Sequence, residues 1–372
     1  MNFLLRGAGV LAPRRLRPGS KAPPSVSPPR LRWRTAMARS LVVRSCRPWA
    51  GLATCLLYHR VCRDEDRQDQ LATGFAPNRA LSVRLSAFDA QMAFVARHFN
   101  CLSLPEAVRR LASGTLPERS LVVTFDDGYL DNLTLALPIL RKHSVPATVY
   151  IATGLIDMTG LPWWYELEQL IASSSEVRLH WHQQHLHFSL FDAEEKTKAF
   201  NRLNRMIKLM DGREQSRFMQ LLRQQCSDRR AAEKEFLNHD QLRELADDPL
   251  IHIGAHSHRH LALSTLDPVQ LHHEIKQSKD LLEDWLKRPV EHLAYPFGGQ
   301  AHASRREFDA AAKLGFASAV TTRLGHVQKF HKHQFQALPR IGIDYEDCMA
   351  RFEWKLSGLY SLFRRPLSRL VC

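Results

Sequence analysis

The 372-residue chain is long enough to bury one large core, and its 44% hydrophobic and 9% aromatic content is that of an ordinary globular protein. A formal net charge of +14 would suit a nucleic-acid partner, but residues 1 to 50 hold eleven Lys and Arg and no acid; taking those eleven away leaves only +3, so the basic excess belongs to a tail and nucleic-acid binding is excluded for the folded part. No apolar run is long enough to cross a bilayer, and seven scattered cysteines without C-x-x-C spacing argue against a disulfide framework or a thiolate zinc site and for a reducing compartment.

Residues 1–51 form a basic segment with seven prolines in its first fifty positions, a composition that cannot build a core. An organellar transit peptide, a disordered basic arm and sequence upstream of a start at Met37 compete to explain it, the last two being preferred. From residue 52 short β-rich runs alternate with amphipathic helices, the pattern of parallel strands joined by helical crossovers. Strands are expected at 53–59, 120–125, 147–152, 250–254, 292–295, 317–321 and 336–338, and seven such runs suggest a barrel. Asp267-Pro268 reads as N-cap and first-turn proline ahead of Leu271, Ile275, Leu282 and Leu286 at helical spacing. Ser304 to Glu307 reads as a capping box, with Gly315 as the matching helix stop. Residues 160–236 interrupt the alternation with Trp163-Trp164-Tyr165 and a charged stretch, expected to be a helical insertion that either flanks the active site or is merely solvated.

Three segments each end an expected strand, which is where a parallel barrel gathers its active site. Thr124-Phe125-Asp126-Asp127-Gly128 offers two adjacent carboxylates on a turn, a pattern that turns and helix caps also use freely. His256-Ser257-His258-Arg259-His260 places two imidazoles four apart, which with an Asp suit a divalent ion and leave positions open for water. Ala294-Tyr295-Pro296-Phe297-Gly298-Gly299 is a stiffened loop that can present a backbone N–H to an oxyanion, or simply turn the chain. The denser run His180, His182, His185 and His187 has no acid or strand end in view and reads as surface, with adventitious metal binding at most.

In this order and spacing the segments resemble the polysaccharide deacetylase family, the NodB-homology group of carbohydrate esterases, over residues 52–348. Tyr58-His59-Arg60-Val61, Asp240-Gln241-Leu242-Arg243-Glu244-Leu245, Ala319-Val320-Thr321-Thr322 and Leu338-Pro339-Arg340-Ile341 extend the likeness. The resemblance implies an α/β fold, a distorted (β/α)7 barrel of the polysaccharide deacetylase type with the insertion at 160–236. It implies Asp126 as catalytic base, Asp127, His256 and His260 as ligands of a divalent metal (Zn2+ first, then Co2+, Ni2+ or Mn2+), and the Phe297 backbone N–H as an oxyanion donor. Many members carry an arginine where this chain has Ala294; Arg340 is the candidate replacement, with a structural arginine as the alternative. Leu324-Gly325-His326 matches the motif that often supplies the general acid, in a setting that suits a different loop, so His326 and His59 remain rivals.

The activity so implied is metal-dependent removal of N-acetyl groups from amino sugars in a polysaccharide or lipid-linked glycan. Hydrolysis of another linear amide or an O-acetyl ester, and a non-catalytic glycan-binding barrel, are the alternatives. The expected partner is an N-acetylated glycan, not nucleic acid. The aromatic and basic segment 349–372 either rests on a membrane surface or packs as a helix on the barrel, packing being preferred. A cytoplasmic location, or one at the inner face of the membrane, is expected.

Overall fold

The computed structural model describes residues 51–66, 74–225, 235–358 and 360–361. The expectation for the tail at 1–51 therefore lies almost wholly outside the described residues.

Seven parallel strands close a barrel: β1 (Ala53–Tyr58), β5 (Ser120–Phe125), β6 (Ala147–Ile151), β9 (Ile251–Ala255), β10 (His292–Ala294), β11 (Ser318–Leu324) and β12 (Leu338–Gly342). They follow in the order β1-β12-β11-β10-β9-β6-β5, and β5 returns to β1 with Ala53 opposite Ser120 and Tyr58 opposite Phe125. The short β4 (Asn100–Cys101) pairs with the start of β5, while β2 (Arg60–Cys62) and β3 (Ser82–Arg84) form a separate pair. Each expected strand is a barrel strand, and the largest displacement is in the last. Residues Phe335–Ala337 form a 3-10 turn, and the strand begins only at Leu338.

Helices cover the barrel because the crossovers bury an apolar stripe on its outer wall. In chain order they include α1 (Leu85–His98), α2 (Leu104–Ser113), α3 (Leu137–His143) and α4 (Thr153–Ile156). Then come α5 (Trp163–Ser173), α6 (Ala193–Lys208), α7 (Gly212–Gln224), α8 (His239–Ala246), α9 (Pro268–Leu286), α10 (Arg305–Lys313) and α11 (Met349–Leu356). Asp267 caps α9 through Val269 and Gln270, and the Glu307 carboxylate accepts the Ser304 backbone N–H at 2.8 Å at the start of α10, both as the sequence suggests.

The insertion is not purely helical. Between α5 and α6 lies an antiparallel hairpin, β7 (Glu176–Trp181) and β8 (Gln184–Ser189). Val177, Leu179 and Trp181 point into the insertion's own core with Leu186, while Glu176, Arg178 and His180 face solvent, a period of two that the charge count hides. This core also holds Trp163, Phe200, Leu203, Phe218 and Leu222. The four histidines at 180, 182, 185 and 187 are exposed, as expected, but acids do lie nearby: His187 is 3.4 Å from Glu176 and His182 3.6 Å from Glu214.

At the other end, α11 packs on the barrel, with Phe352 and Leu356 fully buried and Lys355 paired with Asp347 at 2.5 Å. Residues 362–372, the rest of the segment expected to pack or to rest on a membrane surface, lie outside the described residues. No helix among the described residues is long and apolar enough to cross a membrane.

Candidate metal centre

The three motifs meet at the C-terminal end of the barrel. Each makes the meeting with backbone in the left-handed region, φ being +77° at Asp127, +59° at Ser257, +56° at His260 and +57° at Phe297. Residues other than glycine adopt this region rarely and at some cost, and such strain gathers at sites where the side chain must be aimed. At Asp127 it breaks the alternation of β5, and both neighbouring carboxylates come within 4.0 Å of His256 Nε2. The loop is then held by the chain returning from the insertion: Leu237 N–H donates to the Gly128 carbonyl at 3.0 Å and Leu130 N–H to that of Glu235 at 2.8 Å.

Asp127 Oδ1 stands 3.3 Å from His256 Nε2 and 3.2 Å from His260 Nε2. All three residues are buried, and one donor atom from each lies within 4.8 Å of the others. His256 Nδ1 is 2.8 Å from the Ala294 carbonyl, which can only accept, so the proton sits on Nδ1 and a neutral ring turns the Nε2 lone pair toward Asp127. Asp127 Oδ1 itself is buried with no hydrogen-bond partner among the described residues. A carboxylate oxygen facing two imidazole nitrogens with no hydrogen bond to satisfy it is the donor set a divalent ion such as zinc takes. The His260 ring is oriented by packing, between Trp164 at 5.1 Å and Phe297 at 4.9 Å.

Asp126 has different company. Arg340 grips it bidentately, Nη1 to Oδ1 and Nη2 to Oδ2 both at 2.7 Å, and is itself fixed by the Thr321 carbonyl at 2.9 Å and Thr124 Oγ1 at 3.1 Å. Arg340 is only 1% exposed, so this is a buried, hydrogen-bonded ion pair. His256 Nε2 lies 4.0 Å from Asp126 Oδ2.

Burial works against the charge on both aspartates. For Asp126 the Arg340 guanidinium outweighs it, with help from His256 and His59, and holds the carboxyl below the usual range. For Asp127, His260 and His256 outweigh it more strongly and the carboxyl lies well below that range. Burial lowers His260, whereas in His256 the two aspartates overcome burial and raise it.

Of the residues singled out in the sequence, Asp126, Asp127, His256, His260, Phe297 and Arg340 are therefore brought together. His326 is placed differently: it is buried with Nδ1 2.8 Å from Thr54 Oγ1, in the N-terminal half of β1. The loop after β11 turns back, Val327 pairing with Ala53, and carries His326 to that place. His59, just past β1, acts on both aspartates electrostatically. Sequence reasoning missed Trp164 and Lys208 of the insertion, the latter with Nζ 4.9 Å from the Phe297 ring centre. It also missed the support under the first motif, where Arg60 meets Asp131 at 2.8 Å and Glu235 at 2.7 Å beside the Tyr129 and Tyr165 rings. Trp163-Trp164-Tyr165 was the available signal for the insertion's contact.

Residues 113–223 and 224–319 match the family model described as polysaccharide deacetylase. A poly-beta-1,6-N-acetyl-D-glucosamine N-deacetylase of Staphylococcus epidermidis is 31% identical over 110 residues, 29% of this chain and 38% of that protein. A putative polysaccharide deacetylase of Bacillus subtilis is 23% identical over 66% of this chain and 61% of its own length. The matches thus span less than two thirds of these relatives. Among solved structures, a Streptococcus pyogenes deacetylase in complex with acetate superposes with a TM-score of 0.55 at 20% identity, covering 82% of this chain and 97% of that one. IcaB from Ammonifex degensii gives 0.51 at 15% identity, covering 82% and 97%. These last two likenesses concern the fold.

Proposed function

This chain belongs to the polysaccharide deacetylase family, and from that premise we propose that it is a metal-dependent hydrolase removing N-acetyl groups from amino sugars of a polysaccharide or lipid-linked glycan. The observation that carries the proposal is the buried Asp127, His256 and His260 cluster beside an Asp126 clamped by Arg340. Asp127, His256 and His260 hold the ion, which when bound lowers the pKa of a water and polarises the acetamide carbonyl. Asp126, kept ionised by Arg340, accepts the proton of the attacking water, and its fixed orientation spares the reaction a search for geometry. The Phe297 N–H, which donates to no other backbone carbonyl among the described residues, faces the developing oxyanion. The amine leaving group needs a proton, and His59 is our candidate donor, since His326 lies elsewhere.

The substrate named for the staphylococcal relatives makes oligomers of β-1,6-linked N-acetylglucosamine the first compounds to try. Acetate release from them, and from an O-acetylated glycan, is measured with and without a chelator. Chelator-sensitive release from the N-acetylated oligomers supports the reading. Release from the ester alone, or release that chelation leaves unchanged, contradicts it.

A further inference from the structure

Lys208 is the last residue of α6 and comes from the insertion, yet its ammonium reaches the mouth of the site. Nζ stands 4.9 Å from the Phe297 ring centre, and that ring is 4.9 Å from His260 and 5.9 Å from His302. A lysine in a last helical turn ordinarily extends into water and favours the helix dipole from there. Arg205, in the same turn, is exposed and serves that purpose. Lys208 instead is half-buried, and no carboxylate pairs with it among the described residues; burial alone acts on its ammonium and lowers its pKa. His302 also stands beside Phe297, feels the Lys208 charge, and has a buried Nδ1 with no hydrogen-bond partner among the described residues. Two nitrogen groups, one of them a cation, thus lie against the Phe297 ring, and no carboxylate among the described residues pairs with the cation.

A partly desolvated ammonium without a counter-ion is costly, and the cost is recovered only when an anion arrives. We infer that Lys208 and His302 form an anion-accepting subsite, which takes a phosphate or carboxylate carried by the glycan close to the acetamide that is hydrolysed. The same charge repels a neighbouring sugar whose amine is already free. This inference rests on the proposed deacetylase activity for its setting, but not for its test.

Inorganic phosphate and glucuronate are titrated separately into the metal-loaded protein, with the intrinsic tryptophan fluorescence as readout. The parent is expected to bind at least one of them, Lys208→Gln about tenfold more weakly and Lys208→Arg nearly as well, the scale of one charge-assisted contact. Comparing the phosphate and carboxylate arms tells which anion the subsite prefers. In kinetics, N-acetylated oligomers bearing that anion should show a lower KM than neutral ones in the parent, and Lys208→Gln should lose the difference. Equal affinity of parent and Lys208→Gln for both anions, or an unchanged KM ratio, overturns the inference and leaves Lys208 as a cation–π partner of Phe297. Anion binding without acetate release from any oligomer would instead count against the proposed activity alone.

Discussion

Asp126 and Asp127 are chain neighbours with opposite surroundings, one gripped by an arginine and the other facing two imidazoles. Asp126→Asn should leave metal affinity largely intact while lowering kcat by roughly 10² to 10⁴, the usual contribution of a general base. Asp127→Asn should weaken metal binding itself and recover part of its activity in excess metal; calorimetric titration beside acetate-release kinetics separates the two. Equal metal loss in both variants would remove the division of roles. Arg340→Met leaves the Asp126 carboxylate buried without its partner, so unfolding in urea should show a loss of about 3–5 kcal/mol. Arg340→Lys, which keeps the charge but not the two-pronged grip, should lose less. A stability change below about 1 kcal/mol in Arg340→Met would mean that the pair is not the buried contact it resembles. At this scale the sequence was legible where chemistry is local: D-D-G and H-x-x-x-H announce themselves by residue type. Arg340 was named from the absence of an arginine at Ala294, and its bidentate contact spans the barrel from β12 to the end of β5, which no spacing reveals. His326 shows the reverse, because L-x-H says nothing of the turn that takes Val327 to Ala53.

The barrel strands could be read directly because both faces of a parallel strand are buried: β5 and β6 are buried from end to end and mostly apolar. The hairpin β7–β8 could not, because its outer face carries Glu176, Arg178, His180, His185 and His187, and the eye follows the charge rather than the alternating Val177, Leu179 and Trp181. Nor does any pattern disclose how strands fill the barrel. Gly254 in β9 is an example: a Cβ there would stand 2.4 Å from Cδ1 of Tyr150 on the adjacent β6, so the ring occupies the place of the missing side chain. Gly254→Ala should therefore destabilise the protein by about 1–3 kcal/mol, the usual cost of overpacking, as read by denaturant unfolding. If the substitution is neutral, the two strands do not pack as described.

For the molecule as a whole, pH enters through groups that the fold keeps uncharged. His292 on β10 is buried, with Nδ1 2.9 Å from Ser318 Oγ; burial first, and the nearby His252 second, push its pKa down to about 4 from the ordinary 6.5. Between those values the unfolded chain binds a proton that the folded chain does not, so this stability is present near neutrality and is lost as pH falls from about 6.5 to about 4, up to roughly 3 kcal/mol. Metal-free His292→Leu should lose less stability than the metal-free parent between pH 7 and pH 4.5, and parallel losses would show that His292 titrates normally. The central claim is that Asp127, His256 and His260 hold one catalytic divalent ion at the top of a closed barrel. Its most direct test is the zinc content of the dialysed parent and of the His256→Ala, His260→Ala double variant, taken with acetate release from N-acetylglucosamine oligomers. The exposed histidines of the hairpin can take up metal of their own, so the decisive quantity is the difference between the two proteins. The account predicts one equivalent less zinc in the double variant together with loss of acetate release; equal zinc with equal acetate release would contradict it.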